Sequence, residues 1–241
     1  FDGAVPQPFV AEAAGLVITG TATLAQLTTL RAAFDGALSY DSLSGDRASL
    51  LADMASQGGA GTFVLPGKAV LVTDAASLAE LDAIDAANGL AGVSVTAVAD
   101  TALNLMNDGV PVARISEGVA VTVTDAATIT QLVALDARNG DGTLECALIT
   151  DSWQALLSAD AVAYLPQATT ITLTSYDLGA VTVSDVQRLL AISTLVDGSG
   201  NPIALADLTY TLNDLPANLA QGDAEEIVVH ATSVTASAPA T

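Results

Sequence analysis

The chain has 241 residues, enough for one large domain or a short array of repeated units. Half of it is hydrophobic but only 4% is aromatic, so any core is built in thin layers of Ala, Val and Leu. Acids outnumber bases 27 to 6, for a formal net charge of -21, which excludes phosphate-neutralising contacts with nucleic acid or anionic lipid and favours cations.

The first residues, 1–15, contain Pro6 and Pro8 and read as a linker or strap. From Leu16 onward the chain repeats itself. Val70-Leu-Val-Thr-Asp-Ala-Ala-Ser-Leu-Ala-Glu-Leu81 returns as Val121-Thr-Val-Thr-Asp-Ala-Ala-Thr-Ile-Thr-Gln-Leu132. Degenerate copies lie at Val17–Leu27 and near Val183–Leu189, giving a period of roughly fifty residues. Each copy opens on a short β-branched run that predicts a strand, followed by Asp74 or Asp125 as the expected N-cap of a helix.

The predicted helix carries one apolar triplet throughout: Leu24, Leu27, Leu30; Leu78, Leu81, Ile84; Ile129, Leu132, Leu135; Val186, Leu189, Ile192. Spacing of three and six residues makes one helical stripe. Asp35-Gly36, Asn88-Gly89, Asn139-Gly140 and Asp197-Gly198 follow as expected left-handed helix ends. A second strand comes next, at Leu38–Leu43, Val93–Val98, Leu144–Ile149 and Leu208–Leu212. After it, an Asp with a Leu five residues later (Asp46 and Leu51, Asp100 and Leu105, Asp151 and Leu156, Asp214 and Leu219) predicts a capped short helix.

The expected organisation is a linker at 1–15, units at 16–69, 70–120 and 121–169, a divergent capping unit at 170–234 with an insertion near Ser175–Thr182, and a flexible tail at 235–241. The fold class expected is α/β, a solenoid of strand–helix–strand–short-helix units with parallel strands. A two-layer α+β sandwich is the alternative.

The pairing of Val121–Leu132 with Ile149-Thr-Asp-Ser-Trp-Gln-Ala-Leu-Leu157 resembles repeats of large bacterial secreted and cell-surface proteins, of RTX-like, S-layer-like or adhesin-like type. Ala99-Asp-Thr-Ala-Leu-Asn-Leu105 is close to a commoner form of the second element. The resemblance runs from about Leu16 to Leu219 and marks a repeat style, not an activity. It implies an exported, acidic, structural or adhesive segment at the bacterial surface. The glycine-rich calcium nonapeptides of true RTX arrays are absent, so no calcium role carries over from it.

Chemistry-bearing residues are few. His230, the one histidine, sits in a strand-like run and reads as a solvent-facing residue; Cys146, the one cysteine, reads as a small buried hydrophobe. No nucleophile elbow, phosphate loop or dinucleotide fingerprint occurs, so no enzyme is expected; two carboxylates facing across a cleft would be the exception. Calcium is the one metal to weigh. Asp136, Asn139, Asp141 and Glu145 gather oxygen donors around two glycines, without matching an EF-hand; a helix-to-strand turn is the competing reading. Asp197–Asn201 takes the same place in the last unit, and Asp85 matches Asp136. Trp153 reads as packing between units, or as an exposed platform for a sugar.

No run of apolar residues is long enough to span a membrane and no leader pattern is seen; the start at Phe1 fits a processed product or a fragment. The functional expectation is a non-catalytic spacer or self-assembling layer or fibre segment of an extracellular bacterial surface protein. Its partners would be copies of itself or flanking domains, with no cofactor required. The alternative is an adhesion module that binds calcium or glycans.

Overall fold

Strands and helices alternate along the chain in a computed structural model that describes residues 14–56, 62–89 and 91–237. In order they are β1 (Gly15–Thr23), α1 (Leu24–Ala33), β2 (Ala37–Gly45), α2 (Arg47–Ala55), β3 (Ala69–Ala76), α3 (Leu78–Ala87), β4 (Val93–Asp100) and α4 (Ala102–Leu105). A two-stranded ribbon of β5 (Met106–Asn107) and β6 (Val110–Pro111) follows, then β7 (Ala120–Ala127), α5 (Ile129–Asn139), β8 (Leu144–Asp151) and α6 (Trp153–Leu156). The last stretch holds β9 (Thr170–Leu173), β10 (Asp177–Val181), α7 (Val183–Leu190), β11 (Leu195–Val196), β12 (Thr209–Asp214), α8 (Pro216–Leu219), α9 (Glu225–His230) and β13 (Ser233–Ala236).

The chain forms two compact units. One comprises Phe1–Asp100, Pro111–Thr122 and Arg138–Thr143; the other comprises Thr101–Val110, Val123–Ala137 and Leu144–Thr241. In the first, β1, β2, β3 and β4 pair in chain order, all parallel. In the second, β9 lies between β8 and β11, and β12 between β10 and β13, again all parallel. The protein is therefore α/β with mostly parallel sheet. The predicted insertion near Ser175–Thr182 is where β10 starts the three-stranded sheet.

Burial follows the period of each element. On β3, Val70, Val72 and Ala76 are buried while Thr73 is exposed. The helical stripes face inward: Leu27, Leu81, Leu132 and Leu189 are each fully buried, and of the twelve triplet residues only Leu78 and Ile192 are merely half-buried. Ile192 lies past the end of α7, which closes at Leu190.

Two of the four predicted helix ends use left-handed glycine, Gly89 (φ 68) and Gly140 (φ 58). The other two do not. Gly36 is needed for space, since a Cβ there would lie 2.5 Å from the Phe34 ring, and Asp197-Gly198 falls in the loop after β11. His230 ends helix α9 instead of lying in a strand. Its β-branched neighbours Val228 and Val229 favour extended chain, but Glu225 and Glu226 favour a helix start, and Ile227 is buried. Residues 1–13 of the predicted linker and 238–241 of the predicted tail lie outside the described residues; Thr235 and Ala236 belong to β13.

Candidate functional site

The recurring polar feature is a set of aspartates that cap helices other than their own. The predicted N-caps Asp74 and Asp125 lie inside β3 and β7; the caps themselves are Ser77 and Thr128. Ser77 with Glu80, and Thr128 with Gln131, form capping boxes, as do Thr23 with Gln26 on α1 and Thr182 with Asp185 on α7. With the local cap already filled, each Asp reaches sideways. Asp74 accepts the N–H of Arg47, first residue of α2, at 2.6 Å, and Asp125 accepts that of Ala102, first residue of α4, at 2.6 Å.

The aspartates after the second strands do the same. Asp46 alone among them caps its own short helix, accepting from Ser49 N at 2.9 Å. Asp100, Asp151 and Asp214 end β4, β8 and β12, and the residues after them (Thr101, Ser152, Leu215) occupy the N-cap position. Their carboxylates accept the first N–H of α3 (Leu78, 2.9 Å), α5 (Ile129, 2.8 Å) and α7 (Val183, 3.0 Å). The first helical N–H is one that the helix cannot satisfy itself, and a carboxylate there also complements the helix dipole. A β-bulge precedes the helix on β3, between Val72 and Ala75, and sets the position from which Asp74 reaches out.

In the first copy Gly45 stands where the other second strands end in Asp. A Cβ there would meet Leu50 Cγ at 3.2 Å and Leu24 Cβ at 3.4 Å, so close helix packing takes the place of the carboxylate. A groove of about 810 Å3 opens beside it, lined among others by Thr28, Thr29, Ser44, Gly45, Asp46 and Ser49. Thr28 and Thr29 turn their hydroxyls back onto the carbonyls of Leu24 and Ala25, and Asp46 is used as a cap. These three polar side chains on the groove's edge are thus engaged within the fold.

The four predicted calcium ligands have separate surroundings. Asp136 accepts from the Tyr164 hydroxyl at 3.1 Å. Asn139 is fully buried, its Nδ2 donating to the carbonyls of Gly142 and Thr143 at 3.0 and 3.1 Å. Asp141 and Glu145 are exposed. Among the described residues no group of three or more His, Cys, Asp or Glu is placed to hold a metal ion. Asp197 closes its own turn, accepting from the N–H groups of Ser199 and Asn201, and Asp85 pairs with Arg114 at 3.1 Å. Trp153 is half-buried, with its indole N–H on the Leu178 carbonyl at 2.9 Å; Cys146 is buried, which raises its thiol pKa. No described helix is long and apolar enough to cross a membrane.

Titration follows from these contacts. Burial pushes the Asp214 carboxyl up, but hydrogen bonds from Asn218, Leu215 and Val183 outweigh it and hold the group below the usual range. Glu80 is held low chiefly by the Ser77 N–H. Both favour the folded state above the ordinary carboxylate pKa, so that stability is lost as pH falls through the lowered folded values. The tyrosines act at the other end. Burial, then the Asp53 carboxylate, pushes Tyr40 up to about 12; burial, then Asp136, pushes Tyr164 up to about 12. A raised phenol contributes stability that is complete below the unfolded pKa of about 10 and is lost as pH rises towards 12. Urea midpoints are expected to stay level from about pH 6 to pH 9 and to drop on both sides, the alkaline drop coinciding with tyrosinate absorbance. Tyr40 or Tyr164 ionising near pH 10 with the protein still folded would contradict this.

No family model, curated protein or solved structure matches this chain.

Proposed function

We propose that this chain is a non-catalytic structural segment of an extracellular bacterial surface protein, in which strand–helix units stack as an α/β solenoid and act as a rigid spacer. The observation that carries the reading is the sideways aspartate cap: five helices have their first N–H held by a carboxylate from a neighbouring strand. Such caps tie each helix to the next strand in the parallel sheet, the neighbour-to-neighbour contact on which stacked units rest. The strongly acidic composition suits an exported surface segment, as does the repeat style.

Small-angle scattering and sedimentation velocity on the purified chain test it. An elongated particle is expected; a sphere-like scattering profile would sink the solenoid. A monomer supports a spacer, and concentration-dependent growth supports a segment that builds layers or fibres with copies of itself. Melting with calcium and with a chelator is expected to give the same midpoint. A large calcium-dependent rise would replace this reading with the calcium-binding adhesion module.

A further inference from the structure

We infer that Asn139-Gly140 is a chemical modification site, a latent deamidation point that the folded turn protects and that opening of the turn exposes. The chain has two Asn-Gly pairs, Asn88-Gly89 and Asn139-Gly140, each at the end of a helix. The fold demands both residues of each pair. Asn88 and Asn139 are fully buried and hold the following turn through their side-chain amides, Asn88 on the Gly92 carbonyl and Asn139 on those of Gly142 and Thr143. Gly89 and Gly140 have positive φ, and a Cβ on them would come within 3.2 Å of Pro66 Cβ and 3.1 Å of Glu117 Cγ.

That combination is the most reactive one for intramolecular attack, because glycine offers no side chain to shield its backbone nitrogen. The Gly140 nitrogen attacks Asn139 Cγ; the new C–N bond forms as the Cγ–Nδ2 bond breaks, and the glycine amide proton leaves with the nitrogen as ammonia. Water then opens either C–N bond of the cyclic imide, giving aspartate or isoaspartate. No oxidant or further co-reactant enters.

Among the described residues the two turns divide their side-chain bonds differently: Asn88 donates once and accepts once, while Asn139 donates twice and accepts none. Asn88 Oδ1 accepts the Ala91 N–H at 3.2 Å, whereas Asn139 Oδ1 is buried with no hydrogen-bond partner among the described residues. A buried carbonyl without a donor weakens the closed turn, so the Asn139 turn opens more often. Closure afterwards is blocked. A carboxylate at 139 would face the Gly142 and Thr143 carbonyl oxygens that the amide now bonds, acceptor against acceptor in a buried place. The site makes an opening event irreversible.

The test is to hold the full chain at mildly alkaline pH, native and in urea, and follow both pairs by peptide mass mapping. In urea both deamidate quickly at similar rates. In native buffer both are slowed, and Asn139 leads Asn88 by about fivefold, the effect of one buried acceptor left without a donor. On return to native buffer, molecules converted at 139 are expected in the unfolded or aggregated fraction. A native rate at 139 equal to the rate in urea overturns the proposal, as does Asn88 leading Asn139, or converted chains refolding with an unchanged melting temperature.

Discussion

Replacing Leu81 by alanine is expected to lower the free energy of unfolding by about 2–5 kcal/mol, the range for truncating a fully buried leucine. Leu81 is the middle residue of the α3 stripe, at 0% exposure, and α3 packs on β3 and β4. The cost combines lost apolar burial with the cavity left behind. The layer here is made of Val, Ala and Leu, with Val70, Val72, Ala76 and Ile84 buried near it in sequence, and none of these can swing to refill the space as a long flexible side chain would. Urea unfolding followed by circular dichroism measures it. Leu103→Ala on α4, 79% exposed, serves as the comparison and should change little. Equal effects at the two positions would show that the stripe does not face the core.

Asp214→Ala should be the most damaging of the carboxylate substitutions, at about 2–3 kcal/mol. Three donors converge on this buried group: Val183 N at 3.0 Å, Leu215 N at 2.7 Å and Asn218 Nδ2 at 2.7 Å. Alanine leaves all three without their acceptor and strips the start of α7 of its complementary charge. The loss should be largest near neutral pH and shrink as the wild type itself is protonated in acid, because the carboxyl is held below its usual range only in the folded state. Asp214→Asn keeps one acceptor oxygen and should fall between wild type and alanine. An alanine variant as stable as wild type at neutral pH would remove the energetic role given to this cap.

Strands, helices and the inward leucine stripe were legible because each depends on residues a few positions apart. The capping boxes were equally local, and Ser77-x-x-Glu80 and Thr128-x-x-Gln131 carried the signal that Asp74 and Asp125 were not the caps. The same holds for Thr101 and Ser152, hydroxyl residues directly after Asp100 and Asp151 that take the N-cap place. An aspartate with its local task already taken must find a partner elsewhere, but the sequence does not say where. The partners lie 22 to 31 residues away, brought near only by parallel strand pairing. At the candidate cation turn the fold likewise adds contacts that composition does not show. The Asn139 amide nitrogen donates to backbone carbonyls that only the folded turn brings within reach.

The sideways caps are tested most directly by the backbone amide of Ile129 in an NMR pH titration. With its N–H on the Asp151 carboxylate at 2.8 Å, its proton shift should follow the ionisation of Asp151, and its exchange protection should fall in Asp151→Ala. Gln131 N, held by the hydroxyl of Thr128 within the same helix, should keep its protection in that variant. An Ile129 amide whose shift ignores the carboxyl titration, and whose protection survives the loss of Asp151, would contradict the account.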